Sequence, residues 1–186
     1  MAVVKRFRIV AIGDSLTYGY PYPPCYSWVQ RVADRMGACL ENKGVCGETT
    51  ADMRRRFLTD VVPLGPDWVI ITGGSNDAFA GATAGEVAAN VQAMANAAGQ
   101  RGIRPVVGLA PPMAFPEEAL LAEYREALRA LAAENGWPVI DFYRSLLDNA
   151  TGGIRPGLLT DGVHPNEDGY ALMAETAVLA LIAIMT

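Results

Sequence analysis

The 186-residue chain, 51% hydrophobic and 19% charged, holds enough apolar material for one packed domain spanning residues 1–186 and is too short for two ordinary ones. Its composition excludes a disordered chain, and a net charge of −5 supplies no general attraction for nucleic acid or an anionic membrane. The three cysteines, Cys25, Cys39 and Cys46, match no zinc or redox spacing.

Residues 1–8 lead straight into an apolar run and show neither a leader region nor a small-residue cleavage site, so a cytoplasmic setting with reduced thiols is expected. Ile9-Val10-Ala11-Ile12 then forms a strand buried on both faces, as in the middle of a parallel sheet. It stops at Gly13, where the chain is expected to turn sharply, and Asp14-Ser15 follow at the strand's carboxyl end. Open α/β sheets bind ligands at that edge, which makes Ser15 a candidate nucleophile. The alternative is that Asp14 or Ser15 only caps the next helix.

Residues 18–25, rich in Tyr and Pro, form a loop beside the hydroxyl. A helix is expected over 27–36 and a short edge strand over 38–42. A glycine-bearing turn over 44–50 leads into a helix over 49–58. Its Arg54-Arg55-Arg56 run is expected to be a solvated helix face, because adjacent helical residues point in different directions. The second fully buried strand, 67–72, ends in Gly73-Gly74 and continues Ser75-Asn76-Asp77. A helix over 86–101, a strand over 104–109, a loop over 110–116 and a helix over 117–135 follow. The last strand is expected over 137–142, a turn of helix near 145–148, a loop over 159–166, and a final helix over 167–184. The longest apolar run, 177–185, is about half of what a bilayer span requires. Alternating strands and helices imply a doubly wound α/β/α fold with a parallel sheet in the flavodoxin-like order 2-1-3-4-5.

Four loops leave the same sheet edge, and each carries a residue type needed for acyl transfer. Serine needs a base, and His164 is the sole histidine. Asp161 lies three residues earlier, with Gly162 between to let the loop curl, so its carboxylate is placed to hold one imidazole nitrogen. These two residues are equally suited to capping the last helix. Developing oxyanion charge needs preorganised donors, for which Asn76 offers an amide and Gly47 and Ser15 offer backbone N–H groups. Taken singly, Asn76 and Gly47 also suit plain turn roles.

Gly13-Asp14-Ser15-Leu16-Thr17, Gly47, Gly74-Ser75-Asn76-Asp77 and Asp161-Gly162-Val163-His164-Pro165-Asn166 together resemble the SGNH, or GDSL, hydrolase family in motif order along the whole chain. The resemblance implies an esterase or thioesterase mechanism without metal or cofactor. It assigns Ser15 as nucleophile, His164 as base and Asp161 as its orienting group, with Ser15, Gly47 and Asn76 as oxyanion donors. Cys46, beside Gly47, departs from the small residue expected there and raises the question of thiol sensitivity. Tyr18, Tyr20, Phe79, Pro112 and Met113, in the loops 18–26, 78–80 and 111–115, are the expected lining of a pocket for an uncharged acyl or aryl group. The family's chemistry leaves a carboxylic ester, a thioester, a lysophospholipid or an O-acetylated carbohydrate open as substrate. A non-catalytic binding module on the same scaffold is the competing class, although the first loop lacks the glycines or Lys-Ser/Thr pair of phosphate sites.

Overall fold

The computed structural model describes residues 7–185. The expectation for residues 1–6, a segment without a leader, lies outside the described residues. Five parallel strands, β1 (Arg8–Gly13), β2 (Cys39–Gly44), β3 (Trp68–Thr72), β4 (Arg104–Leu109) and β5 (Val139–Asp141), form one sheet in the order β2-β1-β3-β4-β5. Alternate residues of a strand face opposite sides, which splits the core into two. Val10, Ile12, Val69, Ile71, Val107 and Leu109 face one side. There they pack beneath α3 (Thr50–Asp60), α5 (Ala84–Gly99) and α6 (Glu118–Asn135). Ile9, Ala11, Trp68, Ile70, Val106 and Ile140 face the other, beneath α2 (Trp28–Met36) and α8 (Glu167–Met185). This is the α/β/α arrangement and strand order that the alternating pattern predicts.

The departures from the expected boundaries have local causes. The helix expected from residue 86 begins at Ala84, because Thr83 and Glu86 form a capping box that sets its first turn. The last strand is only Val139–Asp141; Asp141 then accepts from Arg144 N–H and starts α7 (Phe142–Ser145), ahead of the turn expected at 145–148. Two single-turn helices, α1 (Ser15–Tyr18) and α4 (Ser75–Phe79), stand where loops were expected, since one turn shows no periodicity in sequence. By length and composition α8 alone among the described helices could cross a membrane, yet Tyr170, Met173, Ala174, Ala177, Val178 and Leu181 are buried in the core.

The carboxyl end of the sheet is shaped by a register row that runs Gly44, Gly13, Thr72, Gly108 across four strands. A Cβ on Gly13 would lie 2.1 Å from Thr17 Oγ1 and 2.7 Å from Thr72 O, and one on Gly44 would lie 2.2 Å from Tyr18 N. Gly13 does not have a positive φ, so the demand is for close approach and not for an unusual turn conformation. The missing side chains let α1 fold back directly onto the strand ends, with Ser15 as its first residue.

Candidate active site

Asp14 caps α1, its Oδ1 accepting from Leu16 N–H at 2.9 Å. The capping alternative therefore belongs to Asp14, and the Ser15 hydroxyl is left to face the loop from the far end of the chain. Ser15 Oγ is 2.9 Å from Nε2 of His164, 149 positions away in sequence. The other ring nitrogen, Nδ1, is 2.7 Å from Asp161 Oδ2. Asp161 Oδ1 accepts from the backbone N–H groups of Val163 at 3.0 Å and His164 at 2.8 Å. Burial would raise the Asp161 pKa, but these backbone hydrogen bonds, the ring contact and the nearby His164 charge outweigh it and hold the carboxyl below its ordinary range. The loop is tied shut where Thr160 N–H donates to His164 O at 2.8 Å. Capping of α8 falls to Asn166, whose Oδ1 accepts from Gly169 N–H at 2.9 Å, so Asp161 and His164 are not used for it.

The imidazole is held from outside as well. The Tyr20 ring meets it edge-on, with centroids 4.7 Å apart, and the buried Tyr170 hydroxyl donates to Tyr20 O at 2.7 Å. Gly162, at φ +89°, has no side chain where Phe115 packs: a Cβ there would lie 2.8 Å from that ring. Ala114 N–H donates to Gly162 O at 2.7 Å, so the loop after β4 grips the histidine loop. Phe115 in turn meets Phe79 edge-on at 5.8 Å. Tyr20, Phe79 and Phe115 are 45%, 49% and 41% exposed and make an aromatic rim, Tyr20 against the imidazole and Phe115, with Phe79 beside it, against the histidine loop. Tyr18 is half-buried and Pro112 buried. Met113 is 2% exposed and packs in the core, and Phe115 is the exposed ring of its loop.

The second half of the site is the turn over 45–49. Gly47, at φ +82°, has an N–H with no acceptor among the described residues. The first N–H of a helix likewise lacks an intrahelical partner, and in α1 that group is Ser15 N–H. Asn76 Nδ2 donates one hydrogen to Glu48 O at 2.8 Å, which leaves its second for a ligand and ties α4 to the Gly47 turn. Asp77, 2% exposed, adds a second tie by accepting from Thr50 N–H at 2.9 Å and Thr50 Oγ1 at 2.6 Å. Asp14, fully buried with Oδ2 unpartnered among the described residues, has its pKa pushed up to about 7. Burial is the chief cause; the Leu16 N–H opposes it, and the charges of Asp77 and Glu48 reinforce it. Cys46 is exposed, and its thiol pKa is raised by partial burial and by Asp14. No group of three or more His, Cys, Asp or Glu side chains among the described residues is placed to hold a metal ion.

A sequence model of the GDSL-like lipase/acylhydrolase family matches residues 11–172. The chain belongs to that family. Among solved structures, this GDSL-like protein is similar to a lipolytic protein of the G-D-S-L family from Desulfitobacterium hafniense DCB-2. The two share 31% identity and superpose with a TM-score of 0.88 over 94% of this chain and 99% of that one. Curated relatives match over shorter stretches. The uncharacterized lipoprotein YqeF of Bacillus subtilis (strain 168) is 40% identical over 77 residues, 38% of this chain and 32% of YqeF. An acetylxylan esterase of Geobacillus stearothermophilus is 39% identical over 51 residues, 27% of this chain and 23% of the esterase. The match thus spans about a third or less of either curated relative.

Arg56 departs from the solvated helix face expected of the run 54–56. Far from being solvated, its side chain is 14% exposed and pairs with Glu48 at 2.6 Å. Glu48 serves twice, its carboxylate pairing with Arg56 and its backbone carbonyl accepting from Asn76, and a backbone acceptor leaves no mark in sequence.

Proposed function

We propose that this family member is a serine esterase that works through an acyl-enzyme on Ser15. The observation that carries the reading is the continuous chain Asp161–His164–Ser15, with contacts of 2.7 and 2.9 Å. Ser15 Oγ attacks the ester carbonyl carbon while His164 Nε2 takes the hydroxyl proton. Asp161, held ionised, fixes the ring with Nδ1–H toward the carboxylate and stabilises the imidazolium. The carbonyl oxygen becomes an oxyanion, met by Ser15 N–H, Gly47 N–H and the free Asn76 amide hydrogen. The intermediate collapses as His164 returns its proton to the departing alcohol. Water, deprotonated by the same nitrogen, then attacks the acyl carbon and releases the acid and free Ser15.

The exposed rings of Tyr20, Phe79 and Phe115 support an uncharged ester with an apolar or ring-shaped group against that rim. A second reading, O-acetylated carbohydrate, is supported by the short match to the acetylxylan esterase, and exposed aromatic rings also suit sugar faces. The deciding experiment sets short aryl esters, acyl thioesters, lysophospholipid and acetylated xylo-oligosaccharides beside Ser15→Ala. Hydrolysis by the wild type, its loss in the variant and covalent labelling of Ser15 by an organophosphonate are expected. Full activity in Ser15→Ala would overturn the reading.

A further inference from the structure

Arg54 and Arg55 of α3 bond outward, to Asn90 and Asp52, while Arg56 turns under the sheet's carboxyl edge. There its guanidinium makes contacts in several directions. Nε donates to Glu48 Oε2 at 2.6 Å, and Nη1 to Asp60 Oδ2 at 3.2 Å. Nη2 donates to two main-chain carbonyls, Lys43 O at 2.8 Å and Gly13 O at 3.2 Å. Those carbonyls belong to Lys43, the penultimate residue of β2, and Gly13, the last residue of β1, at the end of the sheet ladder. Gly13 O also accepts from Val45 N–H at 3.0 Å, the first residue of the turn that carries Gly47. Glu48, which the same guanidinium grips by its carboxylate, offers its own carbonyl to the Asn76 amide.

From this we infer that Arg56 is the positioning residue of the oxyanion site. It joins the strand end that precedes Ser15, the turn that carries Gly47 and the carbonyl that aims Asn76. The inference rests on the esterase reading for its kinetic consequence, but not for its geometry. One planar group with five N–H donors reaches both strand-end carbonyls and a carboxylate together; a lysine ammonium is a point charge and lacks that fork. With Arg56 gone, Glu48 loses its anchor and its carbonyl no longer fixes which way the second Asn76 hydrogen points. All three donors act at the oxyanion and not on the bound ester, so the loss belongs to the transition state.

The test is Arg56→Lys, with Glu48→Gln as a milder variant that keeps the backbone and side-chain shape. In Arg56→Lys, kcat is expected to fall about 10- to 100-fold with KM within about twofold. Affinity for an alkyl boronic acid, which forms a tetrahedral adduct on Ser15, should fall by the same factor as kcat. In an Asn76→Ala background the further loss in kcat should be smaller than in the wild type but not absent, because the amide that Arg56 aims is gone while the Gly47 turn is still released. Glu48→Gln should show the same pattern at smaller size. The Asn76 side-chain amide gives a readout without turnover. Its two protons should be widely separated in the wild-type NMR spectrum, one being bonded to Glu48 O, and should draw together in Arg56→Lys. A fall in kcat with unchanged boronate affinity and unchanged amide shifts would reduce Arg56 to a stability role and overturn the inference, as would unchanged kcat. Wild-type protein inert toward every ester and boronate would overturn the esterase reading instead, and the amide shifts would still decide what Arg56 holds.

Discussion

At Asn76 the geometry separates two roles that the residue type alone leaves merged. One amide hydrogen serves the fold by bonding Glu48 O, and the proposed reading gives the other to the oxyanion. Asn76→Ala is therefore expected to lower kcat by about a hundred- to a thousandfold, roughly 3–4 kcal/mol of transition-state stabilisation, with a small change in KM. Steady-state kinetics on a variant with native circular dichroism checks this; an unchanged kcat would remove the amide from the chemistry. Asp14 yields a stability prediction. Its carboxyl moves from an ordinary 3.8 to about 7 on folding, so between those values the native state binds the extra proton. Its contribution is complete below the lower value and is lost as pH rises through the upper one. Asp14→Asn keeps the Oδ1 cap without the buried charge. It should match the wild type near pH 4 and exceed it by a few kcal/mol above pH 7, at about 1.4 kcal/mol per pKa unit. Urea denaturation at pH 4, 6 and 8 measures the difference, and a gap that does not grow with pH would refute it. Asp161 moves the opposite way: its depressed pKa gives a contribution present above the ordinary carboxylate range and lost as pH falls through the folded value.

Among the elements, the junction between β1 and α1 decides whether Ser15 meets His164. Gly13→Ala would place a methyl 2.1 Å from the buried Thr17 hydroxyl and 2.7 Å from a main-chain oxygen of β3. The side chain has some freedom to rotate away, but the strand does not, so α1 must lift from the sheet edge. A loss of about 1–3 kcal/mol is expected, with a fall in kcat because Ser15 moves with the helix. A thermal melt and a kinetic assay together check it, and native stability in the variant would show that the close approach is not needed. At the start of α3, the buried Asp77 is held by the Thr50 hydroxyl and N–H. Thr50→Val keeps the shape and deletes the hydroxyl, leaving a buried carboxylate oxygen short of a partner; about 1–3 kcal/mol of stability should be lost. Chemical denaturation measures it, with Thr50→Ser expected to recover most of the loss.

Across the whole molecule, stability is concentrated in the middle of the sheet. Every residue of β3 is buried, whereas β2, at one edge, has only exposed and half-buried positions, and β5, at the other, has three residues. In native-state hydrogen exchange, the amides of β1, β3 and β4 should exchange only through global unfolding, while those of β2 and β5 open at lower cost. Equal protection across all five strands would contradict that gradient. The sequence by itself determined the parts governed by local chemistry. Doubly buried strands announced themselves by unbroken apolar runs, and their alternation with helices left few topologies. The motifs Gly13-Asp14-Ser15, Gly74-Ser75-Asn76-Asp77 and Asp161-Gly162-Val163-His164 supplied acyl-transfer residue types in the order of a known family. Tertiary structure alone decided how shared residue types divide their work. It gave the capping of α1 to Asp14 and of α8 to Asn166, which freed Ser15, Asp161 and His164 for one another. It buried Met113 and left Phe115 at the rim, because a loop's spacing does not say which side faces the core. It also drew Arg56 out of an apparently solvated run, since the carbonyls of Gly13 and Lys43 that hold it lie 43 and 13 positions away and carry no side-chain signal. Backbone acceptors come with every residue, and only the folded chain determines which of them lie close enough to bind a guanidinium.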